Sequence, residues 1–241
     1  MRTRSKACGP DNVSWFIYKK HALQLARPLQ IIMNASFSQC KVPQAWKSAD
    51  VIPIPKNNRD FRPISLLPFP AKVLEKVFLR LSLLPLTENK FKSSQFAFVP
   101  HLHTGTTNAI SFLRTKMLND LTSYWGYVQS LAIDFTKAFD KISHRTIIET
   151  ALTTFDLPTE AIAWLSSFLT NRRQRIRCDD KYQIPWIACT SGVPQGSILG
   201  PILFSMVLND FSLLHPRSTL ILYADNLTIL HSVPPNTINH S

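Results

Sequence analysis

Cysteine is scarce in this chain of 241 residues: four, at Cys8, Cys40, Cys178 and Cys189, with no CxxC pair and no histidine beside them at metal-ligand spacing. That pattern argues against a zinc site and fits reduced thiols in an intracellular protein, nucleus or cytoplasm undecided. Long apolar runs are missing too. The longest, Ile198 to Leu208, is broken by Gly200, Pro201 and Ser205 and is too short to cross a bilayer. Met1 to Asn12 is polar and lacks the apolar stretch of a signal peptide, so no membrane partner is expected. Neither an internal repeat nor a low-complexity tract is visible. Acidic residues are few, 15 against 27 Lys and Arg, which leaves a net charge of +12. A surplus that large favours a polyanionic partner: nucleic acid first, an anionic membrane surface second. An ordinary basic protein without such a partner is the plain alternative. What the chain does have is 45% hydrophobic residues, enough for a core, and seventeen prolines, which demand many loops.

Hydrophobic periodicity places the elements. Val51 to Pro55 reads as an edge strand, since its prolines bar a central one. A helix is expected over Ala71 to Leu84, with Val73, Leu74, Val77, Phe78 and Leu81 as its apolar stripe and Pro85 as its end. A second covers Thr106 to Leu118, with Ile110, Leu113 and Met117 on one face. Tyr127 to Phe135 alternates as a buried strand does and brings Asp134 to its end. Helices follow at Arg145 to Thr154, capped by Ser143, and at Thr159 to Leu169. Asn171 to Cys178 alternates Arg173, Arg175 and Arg177 with Gln174 and Ile176, like a half-exposed strand. A Gly/Pro loop, Gly192 to Gly200, precedes an apolar helix from Pro201. Thr219 to Tyr223 and Leu227 to Leu230 flank a turn through Ala224, Asp225 and Asn226. Helices and strands mix without strict alternation, which indicates an α+β fold.

Two carboxylates stand out by their setting. Asp134 ends a strand and Asp225 sits at the tip of an apolar hairpin, where an ionised acid needs compensation. Divalent cations supply it, because Mg²⁺ takes hard oxygen ligands, often one or two carboxylates plus substrate phosphates. Spacing alone leaves the alternative that both are turn or cap residues. Arg172, Arg173, Arg175 and Arg177 are either a solvated face or a strand that tracks phosphates. Phe139 reads as core, the commoner fate of an aromatic on an amphipathic segment, and Asp140, His144, Cys178, Cys189 and His215 read as capping or structural groups.

The strings LAIDFTKAFDKISH (131–144), GVPQGSILGPILF (192–204) and LYADN (222–226), in that order, resemble the palm motifs of reverse transcriptases of non-LTR (LINE-type) retrotransposons. KACGPDNVS (6–14), AWKSADVIPIPK (45–56), FRPISLLPFPAKVLEKV (61–77) and QFAFVPHLHTGTTNAI (95–110) resemble the fingers motifs of that family. The resemblance implies a right-hand polymerase of α+β class, with fingers over 1–120 and a palm over 121–241 whose antiparallel sheet is backed by helices, and with the thumb missing. It implies RNA-directed DNA synthesis from a DNA primer on an RNA template, using deoxynucleoside triphosphates and Mg²⁺, with Mn²⁺ as substitute. Residue by residue, it makes Asp134 and Asp225 the catalytic metal ligands and adds the Phe135 carbonyl. Phe139 corresponds to the residue that blocks a ribose 2′-OH. Gln195, Gly196, Arg62 and Lys56 correspond to positions around the incoming nucleotide. The chain departs from the family pattern at Asn226, where a second aspartate is usual. It departs again at Ala97 and Val99, where glycine and a basic residue are usual, and at Asn12 in place of glycine. A non-catalytic nucleic-acid-binding remnant of a decayed retrotransposon is the competing expectation, and the chain as it stands is expected to bind nucleic acid weakly and extend primers poorly or not at all.

Overall fold

A computed structural model describes residues 8–56, 60–99, 104–124, 126–177, 184–213 and 215–234. Cys178 and residues 100–103 of the fingers-like string lie outside them. The helices are α1 (Trp15–Lys20), α2 (Ala22–Ser38), α3 (Phe69–Phe78), α4 (Leu84–Thr87), α5 (Thr106–Tyr124), α6 (Ala138–Lys141), α7 (His144–Thr153), α8 (Thr159–Leu169) and α9 (Leu199–Leu208). The strands are β1 (Ser48–Pro55), β2 (Phe61–Leu66), β3 (Tyr127–Asp134), β4 (Arg172–Ile176), β5 (Ile187–Cys189), β6 (Ser218–Tyr223) and β7 (Asn226–Val233). The mixture is α+β, as the sequence indicates. Two compact units form, each from two stretches of chain: Met1–Leu86 with Phe139–Gly200, and Thr87–Ala138 with Pro201–Ser241.

The first unit holds a four-stranded sheet of order β2-β1-β4-β5. The edge-strand expectation for Val51 to Pro55 fails over part of its length. β1 pairs antiparallel with β2 along Asp50–Pro55 and parallel with β4 along Ser48–Val51, so its first half is interior. The prolines survive because of where they fall. Val51 accepts a hydrogen bond from the Arg177 N–H at 2.9 Å, so its main-chain polar groups point away from β2. Pro53 and Pro55 share that orientation by the two-residue period, and β4 no longer pairs there, so no ladder donor is lost. Behind the sheet an aromatic stack closes the core. Phe78 and Trp164 lie 4.0 Å apart between ring centroids, Trp164 stacks on Phe168 at 6.0 Å, and Trp164 Nε1 donates to the buried Ser36 Oγ at 3.1 Å.

The helix expected over Ala71 to Leu84 buries a different stripe. Ala71, Leu74, Glu75 and Phe78 face inward, an i, i+3, i+4, i+7 set that includes an acid. Nor does Pro85 end the helical path. A π-helical turn at Leu79–Leu83 intervenes, the Leu84 N–H bonds back to Leu79, and Pro85 sits within α4. The widened turn re-registers the ladder ahead of the proline's missing donor.

The second unit holds an antiparallel sheet of order β3-β7-β6, with α5 on one face. Phe96, Ala109, Ile221 and Leu230 form its buried cluster, with Leu113, Met117, Val128 and Tyr223 packed around it. Ala109 therefore replaces Ile110 in the expected apolar face, and Ile110 is 64% exposed. β3 is an edge rather than a buried strand, and Leu131 is 56% exposed. Only Val128 and Ile133 along it are half-buried, and the rest of the strand is exposed.

Candidate active site

The hairpin of β6 and β7 turns tightly. Tyr223 pairs with Asn226, which leaves Ala224 and Asp225 to make the turn. Ala224 takes φ 53°, a left-handed conformation that costs a residue with a Cβ. On the other side of β7, Asp134 pairs with the same Asn226, and the Phe135 N–H donates to the Asp225 carbonyl at 3.1 Å. Asp134 and Asp225 thus lie on neighbouring backbone positions of one sheet end despite their separation in sequence. Asp134 is exposed and Asp225 half-buried. Among the described residues neither carboxylate has a side-chain hydrogen bond or an ion pair.

No cluster of three or more His, Cys, Asp or Glu side chains able to hold a metal occurs among the described residues. The donors at this end are therefore two carboxylates, main-chain carbonyls and the Asn226 amide. All offer hard oxygens, a set that fits a Mg²⁺-like cation and not zinc. Two carboxylates on neighbouring backbone positions, neither with a side-chain partner among the described residues, leave oxygens open to a cation.

In the first unit, the Gly/Pro loop is held by main chain and by buried polar groups. Gly192 has φ 77°, and a Cβ there would meet the Asp140 carbonyl at 2.6 Å. Gly196 has φ 131°, and its Cβ would meet the Ser65 carbonyl at 2.6 Å. Both positions need glycine on two counts. The Ser65 N–H donates to the Gln195 carbonyl at 2.7 Å, and the Val193 N–H to the Phe139 carbonyl at 2.8 Å. Gln195 Nε2 donates to Asp140 Oδ1 at 3.0 Å, and His144 Nε2 bonds the Gly192 carbonyl at 2.8 Å. Asp140 and His144 thus each hold this loop through a side-chain hydrogen bond. Phe139 is half-buried and bonded to this loop, not deep in the core. Arg62 and Lys56 are exposed on the β1–β2 hairpin.

Glu75 was missed by sequence reasoning. Only 2% exposed, it accepts the Ile198 and Leu199 N–H groups at 2.6 and 3.1 Å, where the loop enters α9. Burial pushes its carboxyl above the ordinary range, opposed by these hydrogen bonds and by the charges of Arg172 and Lys72. Arg172 is 4% exposed, donates to the Phe168 carbonyl at 3.0 Å and lies over that ring. Burial lowers its guanidinium against the pull of Glu75. Helical spacing was the available signal for Glu75. It falls between Leu74 and Phe78 on the face that the apolar residues define.

Residues 54–240 match the family "Reverse transcriptase (RNA-dependent DNA polymerase)". The chain belongs to this reverse transcriptase family. It is 30% identical over 227 residues to the RNA-directed DNA polymerase from mobile element jockey of Drosophila melanogaster, covering 91% of this chain and 23% of that protein. It is 29% identical to the probable RNA-directed DNA polymerase from transposon BS of the same species, covering 94% of this chain and 26% of that protein. Both relatives come from non-LTR elements, as the motif strings indicate, and the chain spans about a quarter of their length. Among solved structures, apo telomerase from Candida tropicalis truncated from the C-terminal domain superposes with a TM-score of 0.59 at 18% identity. That match covers 80% of this chain and 45% of the telomerase, and it shows a shared fold.

Proposed function

We propose that this chain is an RNA-directed DNA polymerase module, in which Asp134 and Asp225 hold two Mg²⁺ ions for addition of deoxynucleotides to a DNA primer on an RNA template. The observation that carries this reading is the backbone adjacency of Asp134 and Asp225 at one sheet end, with neither side chain paired among the described residues. Divalent cations bound there would stabilise the attacking and leaving oxygens of the phosphoryl transfer, and Mn²⁺ would serve as substitute. Asp134 and Asp225 would bind and orient them, with the Phe135 carbonyl as a further ligand. Phe139 would exclude the ribose 2′-OH. Gln195 and Gly196 would contact the incoming nucleotide, and Arg62 and Lys56 its triphosphate. Arg173, Arg175 and Arg177 would contact nucleic acid. Residues 1–120 would form the fingers and 121–241 the palm.

Asn226 favours one competing reading, a nucleic-acid-binding module without catalysis. It stands in register with Asp134 and brings an amide where the family usually brings a third carboxylate. Single-nucleotide addition to an annealed primer–template separates the two. Slow addition with Mg²⁺ or Mn²⁺ is expected, faster in Asn226→Asp. In Asp134→Asn it should fall by about a thousandfold, the loss of roughly 4 kcal/mol of charge stabilisation. Phe139→Val should admit ribonucleotides more readily. No addition by either the natural chain or Asn226→Asp would leave the binding reading standing.

A further inference from the structure

The register of the first unit's sheet fixes which residues share a face. Arg173 stands opposite Ser48, Arg175 opposite Asp50, and Arg62 opposite Ile54. By the two-residue period these side chains lie on one face. Its only acid among these positions is Asp50, which is 1% exposed. Arg173 donates through Nε to Ser48 Oγ at 2.9 Å, and Arg175 through Nε to Asp50 Oδ1 at 2.8 Å. Both guanidinium carbons also lie over the Trp186 ring, 4.8 and 4.5 Å from its centroid. Each side chain is thus fixed at its inner nitrogen and against one aromatic surface. The terminal nitrogens of both have no partner among the described residues. Arg173 is exposed and Arg175 half-buried.

A guanidinium anchored at Nε still offers its outer N–H groups, which match two oxygens of one phosphate. Anchoring beforehand removes rotamer entropy that binding would otherwise cost. Arg173 and Arg175 are two residues apart on one strand, a rise of about 6.6 Å. Apolar surface lies beside the pair, where Trp186 is half-buried, and Ile54, 48% exposed, stands further along the same face. Unpaired bases can lie on such surface, whereas a duplex hides its base faces.

We propose that Ser48, Asp50 and Trp186 preset Arg173 and Arg175 as two forks for successive phosphates of an extended single-stranded polynucleotide. The inference rests on the reading of this strand as a nucleic-acid contact. Ser48, Asp50 and Trp186 are positioning residues, and sequence selectivity is absent because only phosphates are grasped.

The test is binding of the 241-residue chain to a fluorescent single-stranded oligouridylate of about twelve nucleotides, in the size range of such tracks, measured across a salt series without nucleotide or divalent metal. Arg173→Gln with Arg175→Gln should flatten the slope of log K against log salt by about 1.4, or 0.7 for each phosphate. Trp186→Leu and Ser48→Ala leave the net charge unchanged. Each should nevertheless weaken binding roughly three- to tenfold, with circular dichroism confirming the fold. A duplex of equal length should bind more weakly. An unchanged slope in the double variant overturns the forks. Unchanged affinity in both uncharged variants overturns the presetting. Tighter duplex binding overturns the single-strand assignment. A chain that binds as described but adds no nucleotide defeats the polymerase reading alone.

Discussion

Two buried acids, Glu75 in the first unit and Asp120 in the second, are treated in opposite ways. In the first, Glu75 is inside the core, joined to two main-chain N–H groups and facing Arg172, and burial raises its carboxyl. In the second, Asp120 is 5% exposed, and burial alone would raise it as well. Hydrogen bonds from Lys116 Nζ and Ser232 Oγ, both at 2.6 Å, together with the Lys116 charge, outweigh that and hold it below its ordinary value. The first unit uses its polar groups to fix the loop that carries Gln195 and Gly196. The second fixes β7 to α5 through Asp120 and leaves Asp134 and Asp225 without partners. The proposed cation site thus keeps its oxygens free, while Asp120 and Ser232 take the structural load.

Three substitutions test that contrast. The largest expected effect is Glu75→Ala, which strands two buried N–H groups at the entry to α9. It should cost about 2–4 kcal/mol in urea unfolding, one to two unsatisfied groups. A loss well under 1 kcal/mol would show that Glu75 does not hold the loop. Next comes Gly196→Ala, which meets both a positive φ and the Ser65 carbonyl. A loss of about 1–3 kcal/mol is expected; unchanged stability would mean that β2 yields to the loop. The smallest is Asp120→Asn, about 1–2 kcal/mol at neutral pH.

The pH dependence sharpens the comparison. Asp120 has a folded value below its unfolded one, near 3.9, so its contribution is full above that range. It is lost as pH falls through the folded value. Glu75 has a folded value above its unfolded one, so its contribution is largest in acid and is lost as pH rises through the folded value. Acid should therefore weaken the Asp120 site while it favours the Glu75 site. Hydrogen exchange between about pH 5 and 3 should show α5 and β7 losing protection before α3 and α8. Asp120→Asn should remove that difference.

Much of this fold was legible from the chain. The boundaries of α8 match expectation, and α7 and the β6–β7 hairpin lie within a few residues of it, because α8 carries a strong apolar period, α7 a Ser143 cap and the hairpin a turn at Ala224 and Asp225. Less legible was whatever depended on partners distant in sequence. β1 was misjudged because prolines speak for one flank of a strand, and nothing local says where β4 will stop. The stripe of α3 was misread because a charged residue was assumed to face water, and its compensation arrives from Ile198, Leu199 and Arg172. At the site, the motif strings pointed to Asp134 and Asp225, but only the register brings them together around Asn226. Trp186 carried no signal at all, since its role depends on the strand opposite.

The prolines of the β1–β2 hairpin have a consequence for self-association. Beyond β4, the outward flank of β1 carries Pro53 and Pro55, and Pro63 stands opposite Pro53 on β2. Ser65 turns its main-chain N–H outward to Gln195, so Pro63, two residues earlier, also faces away from β1. The β1 side of the hairpin therefore lacks donors at its outer half, and the β2 side keeps the Phe61 N–H with none at Pro63. A strand from another molecule that approached either side would find carbonyls with too few N–H groups to pair with them. The hairpin can stay exposed, with Arg62 and Lys56 open to solvent, without serving as a template for sheet growth.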